Sequence, residues 1–102
     1  MTLRQRQSKF AHMVALLILH AEQLGYEVTF GDAWAKTGHK INSFHYARLA
    51  IDLNLFKKGR YLTSTVSHTP LGEYWESIGG SWGGRFEDGN HYSLGESIDE
   101  TS

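Results

Sequence analysis

Cysteine is missing altogether from this chain of 102 residues, so neither a disulfide nor a thiolate-bound metal is open to it. Any metal must be held by nitrogen and oxygen donors. Proline occurs once, at Pro70. There Thr69 and Pro70 read as the cap and first residue of a helix, whose first N–H has no partner to lose. Neither sign of charge dominates: ten basic residues stand against eleven acidic ones, for a formal net charge of −1. That balance lacks the broad positive field expected of a protein that binds nucleic acid or an anionic membrane. The basic residues of "LRQRQSK" read as the solvated start of a helix. Long apolar runs are missing too. The closest approach, "FAHMVALLILHAEQLG", is interrupted by His12 and His20 and falls short of the roughly 20 apolar residues of a membrane span, so no stable membrane insertion is expected. With no repeats and no linker, the sequence predicts one domain over 1–94 and a flexible acidic tail over 95–102.

The residues present supply an α+β pattern. Phe10, Val14, Leu17, Ala21 and Leu24 recur at helical spacing, which marks a core helix rather than a signal peptide, although Arg4, Arg6 and Lys9 precede it. Thr2 and Gln5 form a capping box and Gly25 a C-terminal cap, placing the helix over 3–24. "YEVTF" alternates as a short strand, and residues 31–44 read as irregular. From Leu49 onward every second residue is aliphatic (Leu49, Ile51, Leu53, Leu55), the mark of a strand with one face on a core. Its other face carries Ala50, Asp52 and Asn54. "KKGR" is a tight hairpin turn with "YLT" returning, and a second helix runs from Pro70 to its stop at Gly79. A glycine-rich segment, "GGSWGGRFEDGNHYSL", must turn sharply or approach something closely. It ends in a strand with His91 and Ser93 on one face and Tyr92 and Leu94 on the other. The expected fold is a small, mostly antiparallel sheet with an N-terminal helix and a second short helix.

Six histidines are many for a chain of this size. His45 just before the central strand, Asp52 on its open face and His91 in the last strand supply two imidazoles and one carboxylate. A catalytic zinc ion takes such a set, its fourth position left to water. Asp88, three residues before His91, is placed to hold that water as a general base. "EDGN" is also good turn chemistry, which is the plain alternative for Asp88.

"SFHYARLAID" resembles the S-x-H-x-x-x-x-A-x-D signature of the M15 metallopeptidases, and "DGNHYSL" resembles that family's second motif, in which an acidic residue precedes the last histidine ligand by three. The likeness extends over most of the chain and is strongest to small phage-encoded members. The resemblance implies a hedgehog/D-Ala-D-Ala peptidase-like fold, zinc held by His45, Asp52 and His91, and Asp88 as base. It further implies a peptidoglycan peptide as substrate, with the L-alanyl-D-glutamate endopeptidase of the endolysin type favoured. A D-Ala-D-Ala carboxypeptidase and a catalytically impaired zinc-binding wall module are the alternatives. The expected protein is a monomer, made in the host cytoplasm without a signal peptide and acting at the cell wall or periplasm. Two positions depart from the family pattern. Arg48 stands where many members have glycine, and Ala35 stands where many have an arginine that steadies the oxyanion or the substrate carboxylate. Lys36, His39 and Lys40 lie close enough to replace that arginine, and nothing in the sequence chooses among them. Ser43 fits either a substrate contact or a turn cap, and Trp82, among glycines, fits either a cleft wall or the core.

Overall fold

The computed structural model describes residues 1–32 and 47–95. Apart from Gly31, Asp32 and Gly95, the expected irregular segment and acidic tail lie outside those residues. The elements in order are α1 (Leu3–Gln23), β1 (Glu27–Phe30), β2 (Ala50–Lys57), β3 (Arg60–Leu62), α2 (Thr69–Ser77), β4 (Ser81–Trp82) and β5 (His91–Ser93), with 3-10 turns at Val66–His68 and Gly83–Phe86. This is the α+β architecture that the sequence pattern predicts. Among the described residues no helix is long and apolar enough to cross a membrane.

Helix α1 begins with the expected capping box: Gln5 N–H donates to the Thr2 hydroxyl and Thr2 N–H to the Gln5 side chain. Phe10, Val14, Leu17 and Ala21 are buried as expected, and Met13 with them. Leu24 is not, at 40 % exposure, because it caps the helix where the chain turns away through Gly25 at φ +89°.

Strand β2 is the spine of an antiparallel sheet ordered β1-β2-β5-β4, with β3 also on β2. Leu55 pairs with Val28 of β1 and with Leu62 of β3, so those strands flank β2 on opposite edges. Strand β5 takes the first half of β2, pairing Ala50 with Ser93 and Asp52 with His91. Leu49, Ile51, Leu53 and Leu55 all face the core, as alternation demands. Ala50 departs from the expected pattern. Foreseen on the open face, it is fully buried, and Ser93 opposite it is buried as well, so the second face of the sheet opens only at Asp52. The hairpin turn is Lys58-Gly59, with φ of +53° and +78°. Positive φ at both central residues gives the twist a two-residue hairpin needs.

Helix α2 packs on α1 and corrects one expectation. Thr69 is its first residue rather than its cap, because the 3-10 turn over Val66–His68 runs straight into it. Trp75 fills the centre of the core at 0 % exposure, edge-on to Phe10 and Tyr92, and its indole N–H reaches the Ser93 carbonyl at 2.8 Å.

His68, which the sequence did not distinguish, is buried, and its Nδ1 shares a 2.8 Å hydrogen bond with the Tyr92 hydroxyl. Burial lowers the His68 pKa from its ordinary 6.5 and raises that of Tyr92, so both stay neutral inside. An unfolded chain would protonate His68 below about pH 6.5, so it binds more protons there than the folded chain does. This contribution to stability is therefore complete above about pH 6.5 and shrinks as pH falls below it. Urea unfolding between pH 8 and pH 5 is expected to show that acid-side loss in the parent and a shallower loss in His68→Gln. Equal slopes in the two proteins would rule His68 out as the cause.

Candidate functional site

Asp52 lies where the chain grips β2 from both sides. On one edge Asp52 N–H donates to the Asp32 carbonyl at 2.8 Å, and Gly31 N–H donates to the Asp52 carbonyl at 2.7 Å. On the other edge Asp52 is in register with His91, and Leu53 N–H donates to the Asn90 carbonyl at 2.9 Å. The backbone is thus fixed by main-chain bonds. The side chain of Asp52 stands on the open face beside that of His91, as cross-strand pairs do.

The two side chains meet at Asp52 Oδ1 and His91 Nδ1, 3.3 Å apart, with 23 % and 24 % of their respective surfaces exposed. That distance suits a shared cation. A tetrahedral ion with bonds of about 2.0–2.1 Å holds neighbouring donors about 3.3 Å apart. A carboxylate oxygen and an imidazole nitrogen, partly sheltered yet open to one side, are also the donor types a cysteine-free metal site must use. Two of the three expected ligands therefore come together, in a contact that is equally a hydrogen bond between imidazole and carboxylate. His45, the third, lies outside the described residues, as do Lys36, His39, Lys40 and Ser43. Among the described residues there is no cluster of three or more such donors.

The loop that brings in His91 is built by close approach. His91 N–H donates to the Asp88 carbonyl at 3.1 Å, and Asp88 N–H donates to the Gly83 carbonyl at 3.0 Å, so Asp88 and His91 close one turn. A Cβ at Gly83 would run into the Asp88 carbonyl and lie 2.8 Å from the His91 Cβ, so only glycine leaves room for this turn. Gly89 N–H bonds the Thr65 hydroxyl at 3.2 Å, pinning the loop to the segment before α2. Asp88 itself is exposed, at the lip of a polar cavity of about 220 Å³ whose walls include Thr63, Thr65, His68 and Asn90. A carboxylate there is accessible to solvent.

Trp82 is settled by burial. It is 4 % exposed, and its indole N–H donates to the Gly89 carbonyl at 2.7 Å. Its ring belongs to the core and steadies the loop from beneath; it does not line a cleft. Asn54, which shares the face of Asp52, bonds elsewhere: its amide donates to Thr29 at 3.2 Å and its carbonyl accepts from Tyr61 at 3.4 Å. Arg48 has φ +59°. The left-handed region costs a side-chain-bearing residue about 1 kcal/mol or more, a cost that a glycine at this position would not carry.

Sequence reasoning missed the supports of the site: the Asp32 carbonyl, the Thr65 hydroxyl and the pair of His68 with Tyr92. All three are contacts between segments 20 or more residues apart, and no local signal announces them.

Comparison with known proteins adds one finding. A family model described as D-alanyl-D-alanine carboxypeptidase, of the M15 peptidases, matches residues 36–94, which contain both motifs. No curated protein matches the chain.

Proposed function

The chain belongs to the M15 peptidase family, and on that premise we propose that it is a zinc-dependent hydrolase of the peptide part of bacterial peptidoglycan. The observation that carries this reading is the pairing of Asp52 with His91 at 3.3 Å, one residue from each family motif. His45, Asp52 and His91 would hold the ion. When bound, zinc supplies a polarising charge for the scissile carbonyl and lowers the pKa of a water molecule to about 7. Asp88 takes the proton from that water onto its carboxylate and hands it to the departing amine nitrogen. A substrate peptide would reach the pair at Asp52, where this face of the sheet opens.

The favoured bond is L-alanyl-D-glutamate, as in endolysins among the small phage-encoded members, and the expected place of action is the cell wall. A second reading, removal of a terminal D-alanine, draws support from the description of the matched family. Mass spectrometry of purified peptidoglycan digested with the zinc-loaded protein separates them. Stem peptides freed with an amino-terminal D-glutamate mark the endopeptidase, and loss of one alanine from intact stems marks the carboxypeptidase. Zinc binding with no cleavage of either kind would overturn the enzymatic reading and leave a wall-interaction module.

Ala35 sets a further expectation. Losing one donor to a developing oxyanion costs about 10² to 10³ in rate, so a replacement is expected among Lys36, His39 and Lys40. Single alanine variants assayed at saturating zinc should single out one residue with a large loss in turnover and unchanged metal content. If all three keep full activity, no such replacement operates. A large gain in Ala35→Arg would then mark the chain as an impaired member of its family.

A further inference from the structure

The far end of the β2–β3 hairpin carries a second feature that the peptidase reading does not use. Lys57 and Arg60 are register partners, directly opposite each other where the hairpin closes, and Lys58 occupies the turn between them. Like charges directly opposite across a strand pair are destabilising. Nothing nearby relieves them: among the described residues no carboxylate lies within ion-pair distance of Lys57, Lys58 or Arg60. The ammonium of Lys57 is instead held 4.7 Å above the ring of Tyr26, a contact that fixes its position without neutralising it. These residues, with Leu62 and Ser67, line a cleft of about 480 Å³, and among the described residues of its wall none is acidic. The chain as a whole is slightly acidic, so a concave site lined by three cations with no ion-pair partner among the described residues is not a sample of its average surface.

We infer that this cleft is a binding site for a phosphate-bearing polyanion, specifically a linear phosphodiester polymer of the bacterial wall. An anion seated between Lys57 and Arg60 removes their mutual repulsion, and guanidinium and ammonium groups are the side chains suited to phosphate. Exposed ion pairs are each worth only about 0–1 kcal/mol, so one free phosphate is held weakly. A polymer presents its next phosphate at high effective concentration when one dissociates, which converts weak contacts into useful retention. The site holds the protein on its substrate matrix without occupying the face that bears Asp52 and His91. The choice of a wall polymer rests on the proposed peptidoglycan substrate, while the binding itself requires no catalysis.

The test uses the full chain and three probes: poly(glycerol phosphate), inorganic phosphate and a single-stranded oligonucleotide of equal charge. Binding is measured by fluorescence or calorimetry between 20 and 300 mM salt. Poly(glycerol phosphate) is expected to bind with a slope of log affinity against log salt near −2, about 0.7 per neutralised charge for three cations. The variant Lys57→Gln/Lys58→Gln/Arg60→Gln should lose at least tenfold in affinity and most of that slope. Its melting temperature should equal or exceed that of the parent, since the repulsion is gone, and this shows that lost binding is not lost folding. The inference is overturned if the parent fails to bind poly(glycerol phosphate) at 20 mM salt, or if the folded variant binds as well as the parent. Binding of inorganic phosphate as tight as that of the polymer, or tighter binding of the oligonucleotide, would overturn the wall-polymer assignment.

Discussion

His91→Ala is expected to lose stoichiometric zinc and all measurable peptidase activity together, while the chain still folds. The imidazole supplies the nitrogen that stands 3.3 Å from the Asp52 carboxylate. Without it the proposed site keeps one carboxylate and His45, too few donors for a closed set of three around a catalytic ion. Folding should survive because the His91 side chain is about a quarter exposed and lies on the open face, away from Trp75 and Tyr92. The backbone pairing of β2 with β5 does not depend on the imidazole. Asp52→Ala and His45→Ala should behave alike. Elemental analysis of the purified variants, with circular dichroism to confirm folding, checks this. One tightly held zinc per chain in His91→Ala would sink the ligand assignment, whatever the activity.

The second large effect is expected at Asp88. Asp88→Asn keeps the size of the side chain and the main-chain bonds that shape the turn, which run from Asp88 N–H to the Gly83 carbonyl and from His91 N–H to the Asp88 carbonyl. Only the proton acceptor is lost. Zinc content should stay near one per chain while turnover falls by about 10² to 10⁴, the usual worth of a positioned acid–base group. The same variant separates the two readings of "EDGN". A turn residue would tolerate asparagine with little change, since asparagine is equally good turn chemistry. Turnover within about threefold of the parent would therefore assign Asp88 to the turn alone and leave activation of the water to other groups.

The two predictions differ in what they owe to sequence. Asp88 and His91 are three residues apart, and their relation through one tight turn is local; the glycines around them and the "DGNH" spacing announce it. Asp52 and His91 are 39 residues apart, and their meeting could be expected only because the paired motifs resemble a known family. Alternation placed Asp52 on the open face correctly, for side-chain direction in a strand has a period of two and needs no knowledge of neighbours. The same rule put Ala50 on that face too, but could not tell that the face is closed there, where Ala50 lies opposite the buried Ser93.

Helix α1, the hairpin turn and the α+β class were legible for the same reason: caps, period and turn residues act within a few positions of themselves. Trp82 was not legible. A tryptophan among glycines can face solvent or core, and the choice was made by the Gly89 carbonyl, which accepts the indole N–H, and by the room that neighbouring glycines leave around the ring. His68 likewise looked ordinary until Tyr92, 24 residues away, closed a buried hydrogen bond on it. Local pattern thus set which elements form and which face of β2 carries the carboxylate. Folding set what meets that face, since contacts between distant segments depend on packing free energy summed over the whole chain rather than on the residues beside them.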